Sequence, residues 1–569
     1  MLREIFFACI RLAIQEDSET SEGSWSWVNV SYVCSFWRRI ALECQDLWRH
    51  IDFSHPKWHA ITFGRAKTYP LHIQTTITDR NIRLLWRTLL FADRIEDIHL
   101  TGPIQHIYSL LSILSYPNPS LRSLIVDVRT PQDRSALDVC EIPTFPTSEL
   151  PLRDLTYMEL HSAPFSLLTS RCTFLTHLHL HDLSLTERPT FQYFLVSLKK
   201  LERLQYLTLD RAFPINDFDV SRTLDRRISL PRLKRINLGG SVTEIANLLD
   251  SIMIPASVCI ICKVYTFVDL KASVWKFGRQ LSAHSWTRTD RRPPLETLIV
   301  TRNESCSRFT DQFQPNPEFR QSLRFRVFRG DCEGGEAAFD ITFDPEDNSS
   351  DDDLMITGLT ASWKSLALSQ VHTLALQNLD IVTQKTWLEY LRNLPSLRIL
   401  GITGRPPSGL VWALLSNAKY QVPDMDENQL EGGDRFLVPK LNDIYLNKVD
   451  CSSGGFMVSL TSPVNSYLNL DDSRFLDVLV VGLTVRSNFG LALRSLSISR
   501  CEYVLYQSVE LARKAVCHLV CDHRHNVEET VDEQWPARYW DGFKFNGTNW
   551  QPRHFHRLRT SLSDDSEPE

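Results

Sequence analysis

The stretch LTHLHL (175–180) sets the pattern of this sequence, because it returns as LQYLTL (204–209) and as LKRINL (233–238). Each copy reads apolar, two other residues, apolar, one other residue, apolar, and the copies follow one another at intervals of 29 residues. Within a copy, the last two apolar residues alternate with polar ones, which is the period of a β-strand buried on one face only. The pattern therefore predicts a series of half-buried strands at regular spacing.

The same pattern continues through much of the chain at less regular spacing. Further copies are IEDIHL (95–100), LRSLIV (121–126), LTYMEL (155–160), LETLIV (295–300), VHTLAL (371–376), LRILGI (397–402), LNDIYL (441–446) and LRSLSI (493–498). Stretches with helical spacing of apolar residues stand between some of them, as in VTEIANLLDSI (242–252) and VTQKTWLEYLRNL (382–394). A strand plus a helix recurring every 20–35 residues or so is typical of leucine-rich repeats, whose stacked units bury one another's apolar faces. Ordinary βα units in a parallel sheet are the alternative.

Two regions interrupt the repeats. Between Leu238 and Val300, one degenerate strand is recognisable, ASVCIICKV (256–264). Residues 304–369 hold no clear repeat and contain the acidic stretch DPEDNSSDDD (344–353), which predicts a solvated loop. The predicted fold class is α/β, with a short helical module followed by an irregular leucine-rich-repeat solenoid of horseshoe shape. The predicted organisation is a module at 1–52, a linker helix and strand at 53–90, the solenoid at 91–510 with an acidic insertion near 304–369, and a C-terminal helix with a disordered acidic tail at 511–569.

Composition narrows the class of protein. The 569 residues are 43% hydrophobic and 23% charged, which fits a globular protein with ample core. The formal net charge of −6 favours neither nucleic acid nor anionic lipid as a partner. The sequence has no uninterrupted apolar run of about 18 residues and no secretory signal, so we expect no membrane span. Its 13 scattered cysteines favour free thiols in a reducing compartment, the cytoplasm and/or the nucleus.

The N-terminal region carries more apolar bulk than a small module can enclose. If VSYVCSFWRRIA (30–41) is one helix, its apolar residues form a continuous stripe. Ten of the region's apolar residues are Leu2, Ile5, Phe6, Val30, Val33, Cys34, Trp37, Ile40, Leu47 and Trp48. Two or three short helices in about 50 residues cannot close over this much apolar surface. The surplus indicates a docked partner or a neighbouring domain.

This region resembles a known family. EIF (4–6) followed by WVNVSYVCSFWRRIALECQDLWRHIDF (27–53) is similar to the F-box of the large fungal F-box family, where a pattern like V.HVC..WR.IAL..P.LW..IDL recurs. The stretch WHAITFGRAKTYPLHI (58–73) resembles the helix and strand that usually follow there. The similarity is specific over roughly the first 75 residues, and the repeats behind it fit the usual architecture of that family.

The resemblance implies a function without catalysis. F-box proteins recruit substrates to cullin-RING ubiquitin ligases, docking a Skp-type adaptor through the F-box and holding a protein substrate with the other domain. The ten apolar residues named above are then the adaptor-binding residues, and Trp37 and Trp48 are expected to have the largest effects because buried aromatic residues dominate such interfaces. Simple core packing is the alternative role for each of them.

The family normally opens with a Leu-Pro pair and a fuller first helix, whereas this sequence starts at MLREIF (1–6). This departure leaves a second function open, a leucine-rich-repeat interaction scaffold with a degenerate F-box and no ligase role. An upstream in-frame Leu-Pro stretch in the gene would favour the ligase function over the scaffold.

Substrate contacts are expected on the strand face that the core does not use, the concave face of a solenoid. These positions flank the middle apolar residue of each copy. They are Tyr157, Glu159, His177, His179, His181, Tyr206, Thr208, Asp210, Arg235, Asn237, Asp443, Tyr445 and Asn447. Their charges are mixed, so they name no single class of substrate.

Few residues indicate chemistry. His177, His179 and His181 share a strand face and could chelate a metal ion, but an exposed histidine row is the preferred interpretation. CIIC (259–262) lies in an apolar strand without a second cysteine pair, which favours structural cysteines. CHLVCDHRH (517–525) is interpreted as the end of a helix, VELARKAVCHLV (509–520), followed by a polar tail. The sequence has no phosphate loop, dinucleotide-binding glycine pattern or nucleophile elbow. We therefore expect no enzyme, no cofactor and no metal site, and a metal-dependent enzyme stays a third, weaker hypothesis.

Overall fold

The structure is a computed structural model that describes most, but not all, of the chain. The described residues are 2–16, 25–51, 53, 55–115, 120–129, 154–165, 172–215, 227–255, 257–266, 270–285, 294–306, 319–330, 335–344, 352–381, 383–415, 436–451, 474–522, 543–545 and 550–552. The chain divides into two units, Met1–Lys263 and Val264–Glu569. Residues 345–351 of the predicted acidic loop and residues 553–569 of the predicted C-terminal tail lie outside the described residues.

The first unit begins with short helices. They are α1 (Leu2–Glu16), a 3-10 helix (Trp25–Tyr32), α2 (Ser35–Glu43) and a second 3-10 helix (Gln45–Trp48). The single helix predicted over residues 30–41 is therefore wrong. Cys34 has extended backbone (φ −160°, ψ 170°), which no helix interior allows, and its Sγ accepts a hydrogen bond from the Trp37 backbone N–H at 3.5 Å as the N-cap of α2.

The strands of the first unit form an open, parallel sheet. In order they are β1 (His50–Ile51), β2 (Leu71–Thr76), β3 (Ile95–Gly102), β4 (Ser123–Val128), β5 (Tyr157–His161), β6 (His177–His181), β7 (Tyr206–Asp210) and, after the two-residue strand β8 (Ile228–Ser229), β9 (Arg235–Ser241). Strand β8 pairs in parallel with β10 (Ile252–Met253), and β11 (Cys259–Thr266) crosses the boundary between the units. The half-buried strands predicted from LTHLHL and its copies are confirmed.

Helices of the first unit follow its strands. They are α3 (Pro56–Ala66), α4 (Ile82–Leu89), α5 (Ile104–Leu111), α6 (Phe191–Lys199) and α7 (Val242–Ser251). The helix predicted over 242–252 is confirmed as α7, which begins at a capping box. The Ser241 hydroxyl accepts from the Glu244 N–H, and the Glu244 carboxylate accepts from the Ser241 N–H. Ile245, Leu248 and Leu249 of this helix are fully buried.

The second unit continues with parallel strands around an antiparallel insertion. Its elements are α8 (Leu270–Ser285), β12 (Thr297–Cys306), β13 (Phe319–Phe328), β14 (Phe339–Phe343), α9 (Asp352–Ser365), β15 (Thr373–Gln377), α10 (Gln384–Arg392), β16 (Ile399–Thr403), α11 (Ser408–Leu415), β17 (Asp443–Asn447), α12 (Phe475–Asn488), β18 (Leu493–Ser499), α13 (Tyr506–Ala515) and β19 (Val516–Cys521). Strands β12 and β15 to β19 pair in parallel, whereas β13 pairs antiparallel with both β12 and β14. A separate antiparallel pair joins β20 (Phe543–Phe545) to β21 (Trp550–Pro552).

Two differences from the sequence prediction lie in this unit. Strands occupy part of residues 304–369, because Leu323, Phe325 and Val327 of β13 alternate with arginines and are buried. The helix predicted over 509–520 ends at Ala515, and Val516–Cys521 pairs with β18 as a strand. The first stretch carries a two-residue alternation that a search for strand-plus-helix units overlooks. VCHLVC (516–521) has no such alternation, and it is a strand because it pairs with β18.

The strands share a turn that repeats across both units. Directly after six of the strands, one residue has left-handed backbone, with φ between 47° and 54°. These residues are Ser162, Asp182, Arg211, Asn378, Lys448 and Arg500. At the first five positions, the N–H of this residue donates to a carbonyl of the neighbouring strand, as Asp182 does to Asp210 at 2.8 Å. The Arg500 N–H donates instead to the Asp522 carboxylate, at 3.0 Å from Oδ1. Both units are mixed α/β, and their strands are mostly parallel and form open arrangements. Among the described helices, none combines the length and apolarity needed to cross a membrane.

Candidate functional site

The outward side of β5, β6, β7 and β9 is the first candidate surface, called the polar face below. Leu178 and Leu180 of β6 are fully buried, while His177, His179 and His181 between them are half-buried on the other side. Strands β5, β7 and β9 pair with this arrangement in parallel and without a register shift, so their side chains alternate in the same way between the buried side and the outward side. The face consists of three rows, listed across the strands as Tyr157–His177–Tyr206–Arg235, Glu159–His179–Thr208–Asn237 and His161–His181–Asp210.

The first row is aromatic. The His177 ring stacks on Tyr206 with centroids 4.4 Å apart, and it lies 5.5 Å from the Tyr157 ring. Burial lowers the pKa of His177, with a further contribution from the positive charge of Lys234. The row therefore offers a flat aromatic surface with a neutral imidazole at its centre at neutral pH.

The second row is a chain of polar contacts. A 2.8 Å hydrogen bond joins His179 Nδ1 and Thr208 Oγ1, and Asn237 Nδ2 donates to the same hydroxyl oxygen at 3.3 Å. Burial is the main reason that the pKa of His179 is lowered. These contacts hold the imidazole of His179 toward Thr208 of β7.

The third row brings two histidines and a carboxylate together. The rings of His161 and His181 stack with centroids 4.5 Å apart, and His161 Nε2 lies 2.7 Å from Glu159 Oε1. The Tyr157 hydroxyl donates to the other carboxylate oxygen of Glu159. The hydrogen bond from His161, aided by that from Tyr157, lowers the pKa of Glu159 to about 2, and the same bond raises the pKa of His161. Burial lowers the pKa of His181.

This third row includes residues that the sequence prediction missed. His161 was not singled out, although LTYMELH (155–161) and LTHLHLH (175–181) align residue by residue. Aligning consecutive copies would therefore have found it. Asp127 of β4 pairs with His161 in the sheet register and extends the row by a further carboxylate.

The structure separates the remaining predicted substrate residues. Tyr445 lies on β17 of the second unit and is 43% exposed. Asp443, expected on the same face, is instead buried and accepts a bidentate pair of hydrogen bonds from Arg494 at 2.9 and 2.6 Å. A paired, buried carboxylate of this kind holds the strand rather than a ligand.

The cysteine motifs interpreted from the sequence as structural rather than metal-binding have different outcomes. Cys259 and Cys262 are buried in β11, as expected for structural cysteines. Cys517 and Cys521 lie on β19, and His523 and His525 fall outside the described residues. Within the described ranges, one group of metal-ligating side chains has its ligand atoms within 4.8 Å of one another: Glu159, His161 and His181.

The second candidate surface lies on the N-terminal helices, and four of the predicted adaptor-binding residues are in its core. These are Phe6, Val30, Leu47 and Trp48. Trp48 is 1% exposed, its Nε1 donates to the Ala41 carbonyl at 2.9 Å, and the Arg65 guanidinium stacks 4.3 Å from its ring centroid. These residues hold the module together and offer nothing to a partner directly.

The other predicted residues are accessible. Val33 is 61% exposed, Ile5 is 40% exposed and Cys34 is exposed, while Leu2, Trp37 and Ile40 are half-buried. The Trp37 ring meets Phe6 edge-on at 5.4 Å. Two residues that the prediction did not include, Tyr32 and Phe36, are 67% and 51% exposed. We call the accessible residues Ile5, Tyr32, Val33, Phe36 and Trp37 the apolar surface.

Comparison with models of known protein families and with curated proteins gave no match for this sequence.

Proposed function

We propose that this chain is the substrate-recognition subunit of a Skp–cullin–F-box (cullin-RING) ubiquitin ligase. In this proposal, the first 52 residues are an F-box and the parallel strands belong to an irregular leucine-rich-repeat solenoid. The observation that carries the proposal is the apolar surface, which follows the same residues that resemble the F-box. Val33 and Phe36 are more than half exposed on a helical module that has a closed core of its own.

The apolar surface suits an adaptor that binds by burying exposed apolar side chains. Val33 directly precedes Cys34, the N-cap of α2, and Phe36 and Trp37 lie in the first turn of that helix. The three apolar side chains are therefore close together along the chain, at the start of one helix. Burying an exposed valine or phenylalanine stabilises a complex by about 1.5–3 kcal/mol per side chain. Trp37, already anchored against Phe6, is the aromatic residue best placed to act as a hot spot.

The polar face suits the selection of a substrate. It presents aromatic, imidazole, carboxylate and amide groups in rows fixed by strand register. Such groups discriminate between partners because an unmatched polar group is costly to bury. No step of chemistry is assigned to the chain: it raises the local concentration of substrate lysines at the ligase, which acts in the cytoplasm or the nucleus in this proposal.

A pull-down with a Skp-type adaptor tests the proposal. The full chain should retain the adaptor, and the double variant Val33→Asp/Phe36→Asp should lose it because two charges enter an apolar contact. The matched control is Leu185→Asp, which changes another highly exposed apolar residue of the first unit, 71% exposed, and should bind as the unchanged chain does. Circular dichroism of all three proteins checks that each is folded.

Absence of adaptor binding by the unchanged, folded chain would overturn the ligase proposal. That result would favour the interaction scaffold with a degenerate F-box, which needs no adaptor. Equal binding by the double variant and the control would show instead that the adaptor does not use the apolar surface.

A further inference from the structure

The two histidines of the third row, together with Glu159 of the second row, have the composition of a metal site. Glu159 and His161 come from β5, and His181 comes from β6, directly beside His161 in the parallel register. Each offers one ligand atom, and these three atoms lie within 4.8 Å of one another. Imidazole nitrogens with one carboxylate oxygen form a donor set that suits zinc and its neighbours in the first transition series.

We propose that Glu159, His161 and His181 bind one divalent transition-metal ion of the zinc class. The ion lies between the two strands, where it replaces the hydrogen bond between His161 Nε2 and Glu159 Oε1 with bonds from both atoms to the metal. Three protein ligands leave a fourth position open in tetrahedral geometry, and water or a partner group can take it. This site does not depend on the ligase proposal.

Only small movements are needed to form the site. Tetrahedral bonds of about 2.0–2.1 Å place ligand atoms about 3.4 Å apart. His161 Nε2 and Glu159 Oε1 are already 2.7 Å apart, and all three ligand atoms lie within 4.8 Å of one another. The two rings stand almost parallel, 7° apart, so the movement required is rotation of an imidazole about its Cβ–Cγ bond. That torsion has a broad energy minimum, whereas the paired backbones of β5 and β6 stay in place.

The surroundings favour a cation over an anion. Asp127 pairs with His161 on one side and Asp210 pairs with His181 on the other, so a carboxylate-bearing position flanks the two histidines at each end of the row. The Tyr157 hydroxyl donates to Glu159 and orients the carboxylate, which is the usual task of a group behind a metal ligand. Two arginines lie near this row, and each is paired with a carboxylate: Arg211 Nη1 lies 3.2 Å from Asp182 Oδ1, and Arg129 Nε lies 4.0 Å from Asp127 Oδ2.

The neighbouring histidines supply a matched control. His177 lies on the same strand and face as His181 but is held in the aromatic row by Tyr206. His179 is joined to Thr208 and is not part of the group of three. A metal held by these specific atoms is therefore lost with His161 or His181 and kept without His177.

Titration of the metal-free full chain with Co²⁺ and then with Zn²⁺ tests the proposal. Absorbance of the bound cobalt distinguishes nitrogen and oxygen ligands from cysteine thiolates, which separates this site from any site formed by cysteines elsewhere in the chain. We expect one equivalent of cobalt with nitrogen and oxygen ligands, displaced by zinc. His161→Ala, His181→Ala and the near-isosteric Glu159→Gln should each weaken binding at least about tenfold, and His177→Ala should leave it unchanged.

Three outcomes would overturn the proposal. They are no stoichiometric binding by the unchanged chain, thiolate absorbance as the only signal, and equal weakening by His177→Ala. Thermal melting of each variant without metal confirms that lost binding does not reflect lost folding, and Glu159→Gln keeps a side chain of the same shape if an alanine variant fails to fold.

Discussion

The N-terminal helices and the repeat strands of the first unit differ in how much apolar side chain they leave exposed. On β6, leucines point inward and histidines point outward, so little apolar area remains for a partner. At the start of α2, Phe36 and the preceding Val33 are left largely exposed, although Trp48 and Phe6 are buried in the core of the same module. The comparison shows that exposed apolar residues here are not the result of an unfinished core.

This difference fits the separate roles that we propose for the two regions. Apolar burial is non-directional and gives affinity, which suits one constant partner. Rows of polar groups in fixed register give discrimination, which suits a selected substrate. Four changes test the comparison, beginning with the largest expected effect.

Trp48→Ala should destabilise the N-terminal helices by about 3–5 kcal/mol, because it opens a cavity and removes the partner of the Ala41 carbonyl. Urea unfolding followed by tryptophan fluorescence measures the loss. An effect below about 1 kcal/mol would show that Trp48 is not a core residue and would weaken the distinction between core and apolar surface.

Leu180→Ala should cost about 2–5 kcal/mol in the free energy of unfolding, since Leu180 is fully buried between β5 and β7. The matched change on the outward side, His179→Ala, should cost only about 1 kcal/mol, the loss of its hydrogen bond to Thr208. Urea unfolding of both variants compares them directly. Equal costs would contradict the division of β6 into a core side and a polar side.

Acidification should destabilise the junction between the two regions, at His50 of β1. Burial, with the positive charges of His72 and Arg49, lowers the pKa of His50 to about 4. The folded state therefore binds this proton less readily than the unfolded state, so stability is complete above about pH 6.5 and falls as the pH approaches 4. The loss is up to about 2 kcal/mol at pH 5.

Melting temperatures at pH 7 and pH 5 measure this effect, with His50→Gln as the comparison. The variant should lose less stability between the two pH values than the unchanged chain. An equal loss in both proteins would show that other groups are responsible.

Val33→Ser and Phe36→Ser should change the free energy of unfolding by no more than about 0.5 kcal/mol each, because both side chains already face solvent. The same urea experiment measures it. A loss of 2 kcal/mol or more would place these residues in the core and remove them as partner contacts.

The sequence predicted the repeat strands well because period and burial are coupled. Because Leu178 and Leu180 of LTHLHL are buried and side chains alternate along a strand, the neighbouring histidines must lie on the other side of it. Ile245 and Leu249 predicted α7 for the same reason at helical period.

The features that the sequence did not predict depend on backbone conformation and on pairing between neighbouring strands. Nothing in the residue type at Asp182 or Arg211 requires a left-handed turn, yet the repeat imposes it on both. Cys34 breaks the predicted helix although its side chain fits the apolar stripe. The group of Glu159, His161 and His181 exists only because β5 and β6 pair in one register. Whether the apolar surface binds an adaptor stays a prediction.

Hydrogen exchange with and without a Skp-type adaptor tests the central claim most directly. The adaptor should slow amide exchange in peptides that cover residues 2–16 and 25–48, and it should leave residues 157–161, 177–181 and 206–210 unchanged. Unchanged exchange in the N-terminal peptides at saturating adaptor, or slowing confined to the strands of the polar face, would contradict the account.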